Sequence, residues 1–229
     1  MPDQATPPRA VLFDAYGTLF DVHSVVLRAE QLFPGHGERL SLLWREKQID
    51  YTRLLTLSGR YKPFWEVTRD GLRYAAARLA LPLEKDAEEQ LMNQYRHLSA
   101  FPENRDVLLE LKRRGIVAGV LSNGDPQMLA VAIKSAGFAE LLDPVLSVDG
   151  VKRFKTDAAA YAIGPKALQL TAQEILFVSS NCWDAVGATW FGYTTLWVNR
   201  AGLPLEQLDT APSRTGRGLR DTLSFFPAR

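Results

Sequence analysis

The stretch VLFDAYGTLFD, residues 11–21, decides how the rest of the chain reads. Three apolar residues, Val11 to Phe13, run straight into Asp14, and Tyr16, Gly17 and Thr18 follow. A carboxylate at the end of an apolar strand is costly to bury unless a partner or a reaction uses it. The rest of the chain has to supply one or the other.

Four later apolar runs have the same form: Ile116–Leu121, Val145–Val148, Ile175–Val178 and Thr195–Val198. Helical patterns lie between them at Pro126–Ala136, Ala158–Leu170 and Asp184–Phe191, and Pro165 should end or kink the second. Strands alternating with helices predict an α/β fold built on a parallel sheet with right-handed crossovers. Residues 22–100 differ. LSLLWREKQIDYTRLLTL (40–57) and WEVTRDGLRYAAARLAL (65–81) carry helical periodicity with no strand run between them, and turns fall at Pro34–Gly37 and Leu81–Lys85. This stretch reads as a helical cap, 22–100, inserted into a core domain made of 1–21 and 101–229.

The composition narrows the function classes. With 229 residues, 46% hydrophobic, the chain can bury one ample core. Its 27 Lys and Arg against 26 Asp and Glu leave a net charge of +1, without the basic excess of a nucleic-acid binder. The run Lys112-Arg113-Arg114 falls where a helix should end, and there it complements the helix dipole. The Pro-rich start MPDQATPPRA shows no secretory signal, and no segment reaches the ~20 apolar residues of a membrane helix. One cysteine, Cys182, cannot make an internal disulfide, which fits a reducing cytoplasm. The expectation is a soluble cytoplasmic protein.

Ligands of an open parallel sheet gather at the carboxyl ends of its strands. Those ends carry Asp14, then Ser122-Asn123-Gly124, then Lys155, then Ser179-Ser180-Asn181 with Asp184. The three histidines, His23, His36 and His97, are scattered, and there is no nucleophile elbow, P-loop or paired-cysteine zinc motif.

The pieces FDAYGTLFDVHS (13–24), WREKQIDY (44–51), GRYKPFW (59–65), LSNG (121–124), Lys155 and SSNCWDAVGA (179–188) resemble the haloacid dehalogenase superfamily. The last piece, with a non-acidic residue at 16, resembles the L-2-haloacid dehalogenase branch in particular. The resemblance covers almost the whole chain. It implies a Rossmann-like core, a four-helix cap, no metal and no cofactor. It also implies a small 2-haloacid as the partner, and leaves a homodimer open.

On that resemblance Asp14 is the nucleophile that displaces halide from C2 of an L-2-haloalkanoate. The ester is then hydrolysed to a D-2-hydroxy acid. A carboxylate nucleophile divides one hard hydrolysis into two easier steps. Lys155 is its electrostatic partner, and Thr18, Ser122 and Asn123 hold it or the substrate carboxylate. Gly17 and Gly124 let the backbone come close. Arg45 takes the leaving halide, while Tyr16, Phe64 and Trp183 wall off water. Asp184, supported by Asn181 and Ser179, activates the second-step water, with Lys155 the alternative proton acceptor. Two positions depart from the branch: Glu46, beside the halide site, stands where relatives usually have glutamine, and Thr156 where many have proline.

One rival is a phosphatase of the same superfamily, which would need a second aspartate at position 16 and carboxylates near 180 to hold magnesium. Tyr16, Ser180 and Asn181 stand there instead. The other is a non-catalytic binding protein on the same fold. It would have no reason to keep Asp14, Arg45, Asn123, Lys155 and Asp184 together.

Overall fold

The protein is described from a computed structural model covering residues 7–227. Residues 1–6, most of the Pro-rich stretch read above, lie outside the described residues.

Strand β1 (Ala10–Phe13) has four residues, all of them buried. It sits inside a six-stranded sheet with β2 (Val117–Ser122), β3 (Val145–Ser147), β4 (Ile175–Ser179), β5 (Thr194–Val198) and β6 (Arg214–Gly216). Every pairing is parallel and the order is β3-β2-β1-β4-β5-β6. Central parallel strands are covered on both faces, so they are apolar throughout rather than alternating. That is why the runs of β1, β2, β4 and β5 stand out in the sequence. Strand β6 does not: Arg-Thr-Gly at an edge has no apolar signature, and only its pairing to β5 makes it a strand.

Between β1 and β2 the chain forms only helices: a short 3-10 turn, then α1 (Val26–Leu32), α2 (Gly37–Leu57), α3 (Phe64–Arg78) and α4 (Lys85–Arg96). The expected turns fall between them. The chain passes to and from these helices side by side, Asp21 N donating to Ser99 O at 2.8 Å and Phe20 bridging Ala100. Helix α5 (Asn104–Arg113) ends on the basic run, as its dipole favours. Helix α6 (Pro126–Ser135) starts with Pro126 in its first turn and Asp125 as cap, its carboxylate accepting from Met128 N.

The pattern at 158–170 splits into α7 (Ala158–Tyr161) and α8 (Ile163–Leu168). The break lies ahead of Pro165 because a proline cannot donate to the carbonyl four residues back and clashes with it. That carbonyl, on Tyr161, accepts instead from the Tyr193 hydroxyl at 2.6 Å. Helix α9 (Cys182–Phe191) follows β4 directly.

The sheet order reverses at β1. The chain leaves it toward β2 and returns on its other side as β4, which opens a crevice at the carboxyl ends of these strands. Asp14 follows β1 there, its N–H still bonded to Val178 O of β4 at 2.9 Å.

Candidate active site

At the crevice four separated segments meet around one carboxylate. Asp14 Oδ1 accepts from Lys155 Nζ at 3.1 Å. Its Oδ2 accepts from Thr18 Oγ1 at 3.0 Å and from Asn181 Nδ2 at 2.9 Å. Both oxygens are thus held, which fixes the plane of the group. The loop that delivers Thr18 turns at Gly17, whose φ of +96° is strained for any residue with a Cβ. Gly124 is required by proximity, since a Cβ there would lie 2.7 Å from the Tyr16 ring.

Lys155 is 1% exposed, and its ammonium also donates to Asp184 Oδ2 at 3.0 Å. Two buried carboxylates therefore share one cation. Asp184, in the first turn of α9, is fully buried, and its other oxygen accepts from Tyr161 OH at 2.8 Å. Burial, chiefly, raises the Asp184 carboxyl to about 6; the Asp14 charge adds to this, while Lys155 and Tyr161 oppose it. Burial and the Asp184 charge together push the Tyr161 hydroxyl well above its ordinary range, so it stays a donor.

The turn after β4 is built by Ser179, whose hydroxyl accepts from Asn181 N at 3.1 Å. Ser122 plays the same part after β2, accepting from Gly124 N at 3.1 Å. Asn123 places the lysine: its Oδ1 accepts from Lys155 N at 2.9 Å. Ser179 is thus a support of the turn rather than a contact of Asp14.

Helix α2 presents one face to this crevice. Arg45, Ile49 and Thr52, spaced four and three apart, line a cavity of about 10 Å³ together with Asp14, Tyr16, Phe64, Ser122, Asn123, Asn181 and Trp183. Arg45 donates to Tyr16 O at 3.0 Å, Asn181 Oδ1 at 3.3 Å and Gln48 Oε1 at 2.6 Å. All three acceptors are neutral, so the guanidinium faces the cavity without a carboxylate among these partners. Gln48 is itself held by Thr68 at 2.6 Å and Tyr95 at 3.0 Å. Tyr16 packs on Phe64, and Arg53 lies over Trp183 at 5.1 Å.

Of the thirteen residues picked from the sequence, Asp14, Tyr16, Arg45, Phe64, Ser122, Asn123, Asn181 and Trp183 line the cavity. Thr18, Lys155, Asp184 and Ser179 stand behind them. Glu46 is a correction: it is exposed and outside the lining, because on α2 the next residue after Arg45 points about 100° away from it. Thr156 is exposed as well. Sequence reading missed Gln48, Ile49, Thr52 and Tyr161. The first three repeat along α2 at the helical spacing from Arg45, a signal available without a structure; Tyr161 carried none.

A sheet whose first strand ends on a nucleophile-like aspartate, bridged by lysine to a second, defines a hydrolase class. The family model for haloacid dehalogenase-like hydrolases matches residues 8–192, and the chain belongs to that family. Within it the similarity is to the L-2-haloacid dehalogenase branch. The (S)-2-haloacid dehalogenase of Pseudomonas sp. (strain YL) is 44% identical over 218 residues, 95% of this chain and 94% of the relative. A crystallised L-2-haloacid dehalogenase is 61% identical, covers 96% of this chain and 99% of its own, and has a TM-score of 0.94. The L-2-haloacid dehalogenase of Xanthobacter autotrophicus with chloropropionic acid covalently bound is 35% identical. It covers 94% of this chain and 96% of its own, with a TM-score of 0.88.

Proposed function

We propose that the protein hydrolyses L-2-haloalkanoic acids to D-2-hydroxy acids through an ester on Asp14, with residues 22–100 acting as a cap over the core. The observation that carries this reading is the Lys155 ammonium, 3.1 Å from Asp14 and 3.0 Å from Asp184. Around it Tyr16, Ser180 and Asn181 stand where a phosphatase of this fold would need carboxylates to hold a divalent cation.

In the first step an oxygen of Asp14 attacks C2 on the side opposite the halogen. The C–O bond forms as the C–halogen bond breaks, and the halide leaves with the bonding pair toward Arg45. Backside attack inverts C2, so an L substrate gives a D product. Tyr16, Phe64 and Trp183 keep water from the alkyl group. In the second step water adds to the Asp14 carboxyl carbon and gives a proton to Asp184. The acyl–oxygen bond breaks, Asp184 returns that proton to the departing alkoxide to free the hydroxy acid, and the Asp14 carboxyl releases its remaining proton to solvent. Lys155, donating to both aspartates as an ammonium, has no lone pair to accept with, which favours Asp184 as base. Esterification neutralises Asp14, removing a charge that raises Asp184, so Asp184 is held ionised when its step arrives. A 10 Å³ cavity has room for about one water. Substrate therefore needs side chains of the lining to move aside before it reaches Asp14.

The decisive assay is chloride release from racemic 2-chloropropionate in excess EDTA. Consumption of the L enantiomer alone, D-2-hydroxypropionate as product and negligible p-nitrophenyl phosphate hydrolysis are expected. Arg45→Ala should stay folded and lose about 10²-fold in turnover, the usual cost of one donor at developing charge. Magnesium-dependent phosphate release faster than dehalogenation would establish the phosphatase reading instead.

Activity should fall on acidification at a pH below about 6, because esterification of Asp14 removes a charge that raises Asp184, and once protonated Asp184 can no longer accept a proton. Tyr161→Phe removes a hydrogen bond that lowers the Asp184 pKa, so the acid limb of kcat should move to higher pH. An unmoved limb would detach it from Asp184.

We further place the protein in the cytoplasm, on the strength of its single cysteine, and assign it a homodimer with no nucleic acid bound. Among the described residues no helix is long and apolar enough to cross a membrane. The exposed Leu54 of α2, which shares a surface groove with Tyr51 and Leu55, and the exposed Leu57 three residues on supply an apolar face for a second copy. Sedimentation equilibrium at twice 25.6 kDa would support the dimer, and a monomer would refute it.

A further inference from the structure

Arg200 lies two residues beyond β5, at the same sheet edge as Asp14, and reaches three segments at once. Its Nη1 donates to Ser180 Oγ at 2.7 Å and to Gly17 O at 3.4 Å. Its Nη2 donates to Thr18 O at 3.3 Å and to Glu103 Oε1 at 3.0 Å, and Nε reaches the same Glu103 oxygen at 3.2 Å. The guanidinium lies over Phe101, 3.8 Å from the ring centroid. Phe101 and Glu103 directly follow the point where the chain returns from the helical insert to the core.

The two arms that hold Asp14 Oδ2 come from the segments that Arg200 ties together. Thr18 provides one and Asn181, next to Ser180, the other. Ser180 N also donates to Thr18 Oγ1 at 2.8 Å, so the loop after β1 and the turn after β4 are joined directly and again through Arg200. Neither Gly17 nor Thr18 can offer its carbonyl to a regular ladder, because the chain turns there, and Arg200 satisfies both carbonyls with a planar fork.

We propose that Arg200 is a positioning residue for the nucleophile: through Thr18 and the Ser180–Asn181 turn it sets the orientation of the Asp14 carboxylate for attack on C2. Glu103 holds the fork in the plane that reaches all three acceptors. Because this fork, rather than charge alone, makes the contacts, lysine is a poor replacement. The assignment rests on the dehalogenase reading for its kinetic consequence, but its structural consequence does not.

Arg200→Met, Arg200→Lys and Glu103→Gln test it. A displacement of about 1 Å at the reacting carboxylate is worth about 10²-fold in rate. Arg200→Met should therefore lose on that order in kcat for 2-chloropropionate, with KM changed less than about threefold. Arg200→Lys should recover only part of the loss, and Glu103→Gln, which keeps the fork, should lose less than either. A crystal structure of Arg200→Met should show Thr18 Oγ1 or Asn181 Nδ2 out of hydrogen-bond distance of Asp14. That last result is independent of activity, so a wild-type protein that releases no halide would count against the dehalogenase reading and leave this readout decisive. The proposal is overturned if Arg200→Met lowers only the melting temperature, if lysine restores full kcat, or if both donors stay on Asp14 in the variant structure.

Discussion

Single turnover in heavy-oxygen water should place the label in Asp14 and none in the first molecule of hydroxy acid. The reason is the order of bonds. The product oxygen comes from the aspartate, and water replaces it only when the ester opens at the carboxyl carbon. Over further turnovers the labelled aspartate passes its oxygen to the product. Mass spectrometry of the peptide containing Asp14 reads this directly. Asp14→Asn should lower kcat by about 10⁴-fold or more, since removing a nucleophile removes the step that the other groups serve. The fold should survive, because the amide oxygen can still accept from Thr18 and Asn181, which share one oxygen of Asp14, and Lys155 keeps Asp184 as its acceptor. Label in the first product molecule, with Asp14 unlabelled, would show direct attack by water on C2 and sink the covalent route.

The second large effect concerns Lys155. Its ammonium serves two buried carboxylates, Asp14 at 3.1 Å and Asp184 at 3.0 Å. Removing the cation and keeping the anions leaves buried charge uncompensated, which costs about 3–5 kcal/mol. Lys155→Met should therefore be inactive and destabilised by that order at pH 8. The cost should shrink on acidification. Asp184 is already raised by burial, and Lys155 is what opposes the rise, so without the lysine Asp184 goes higher still. A carboxyl whose folded pKa exceeds its unfolded value near 3.9 stabilises the fold at low pH and withdraws that stability as pH climbs through the folded value. Urea titrations of both proteins at pH 5 and pH 8 give the comparison. A deficit no smaller at pH 5 than at pH 8 would mean that Asp184 does not carry the cost.

Asp14, Asn123, Lys155, Asn181 and Asp184 were legible as candidates because a parallel sheet carries its chemistry at the carboxyl ends of its strands, and those strands announce themselves as apolar runs. Arg45 was legible through its stretch on α2. Glu46 was assigned to the site from that same stretch and is turned away by the 100° step of the helix. Tyr161 was invisible: it sits on a helix broken ahead of Pro165, and only the packing of that helix brings its hydroxyl to Asp184. Arg200 was equally silent, since a polar residue after an outer strand has no periodicity to mark it.

The sequence by itself determined the alternation of strands and helices, the place of the all-helical insert between β1 and β2, and the identity of the carboxylate at the end of the first strand. Those are local properties: apolar runs, helical spacing and turn residues act within a few positions of one another. Only the tertiary structure decided that β6 is a strand, that one ammonium serves both Asp14 and Asp184, and that Arg200 ties two loops together. Each of these depends on groups tens to more than a hundred residues apart meeting within about 3 Å, the reach of a hydrogen bond. No pattern along the chain encodes such a distance, because it is set by how strands and helices pack.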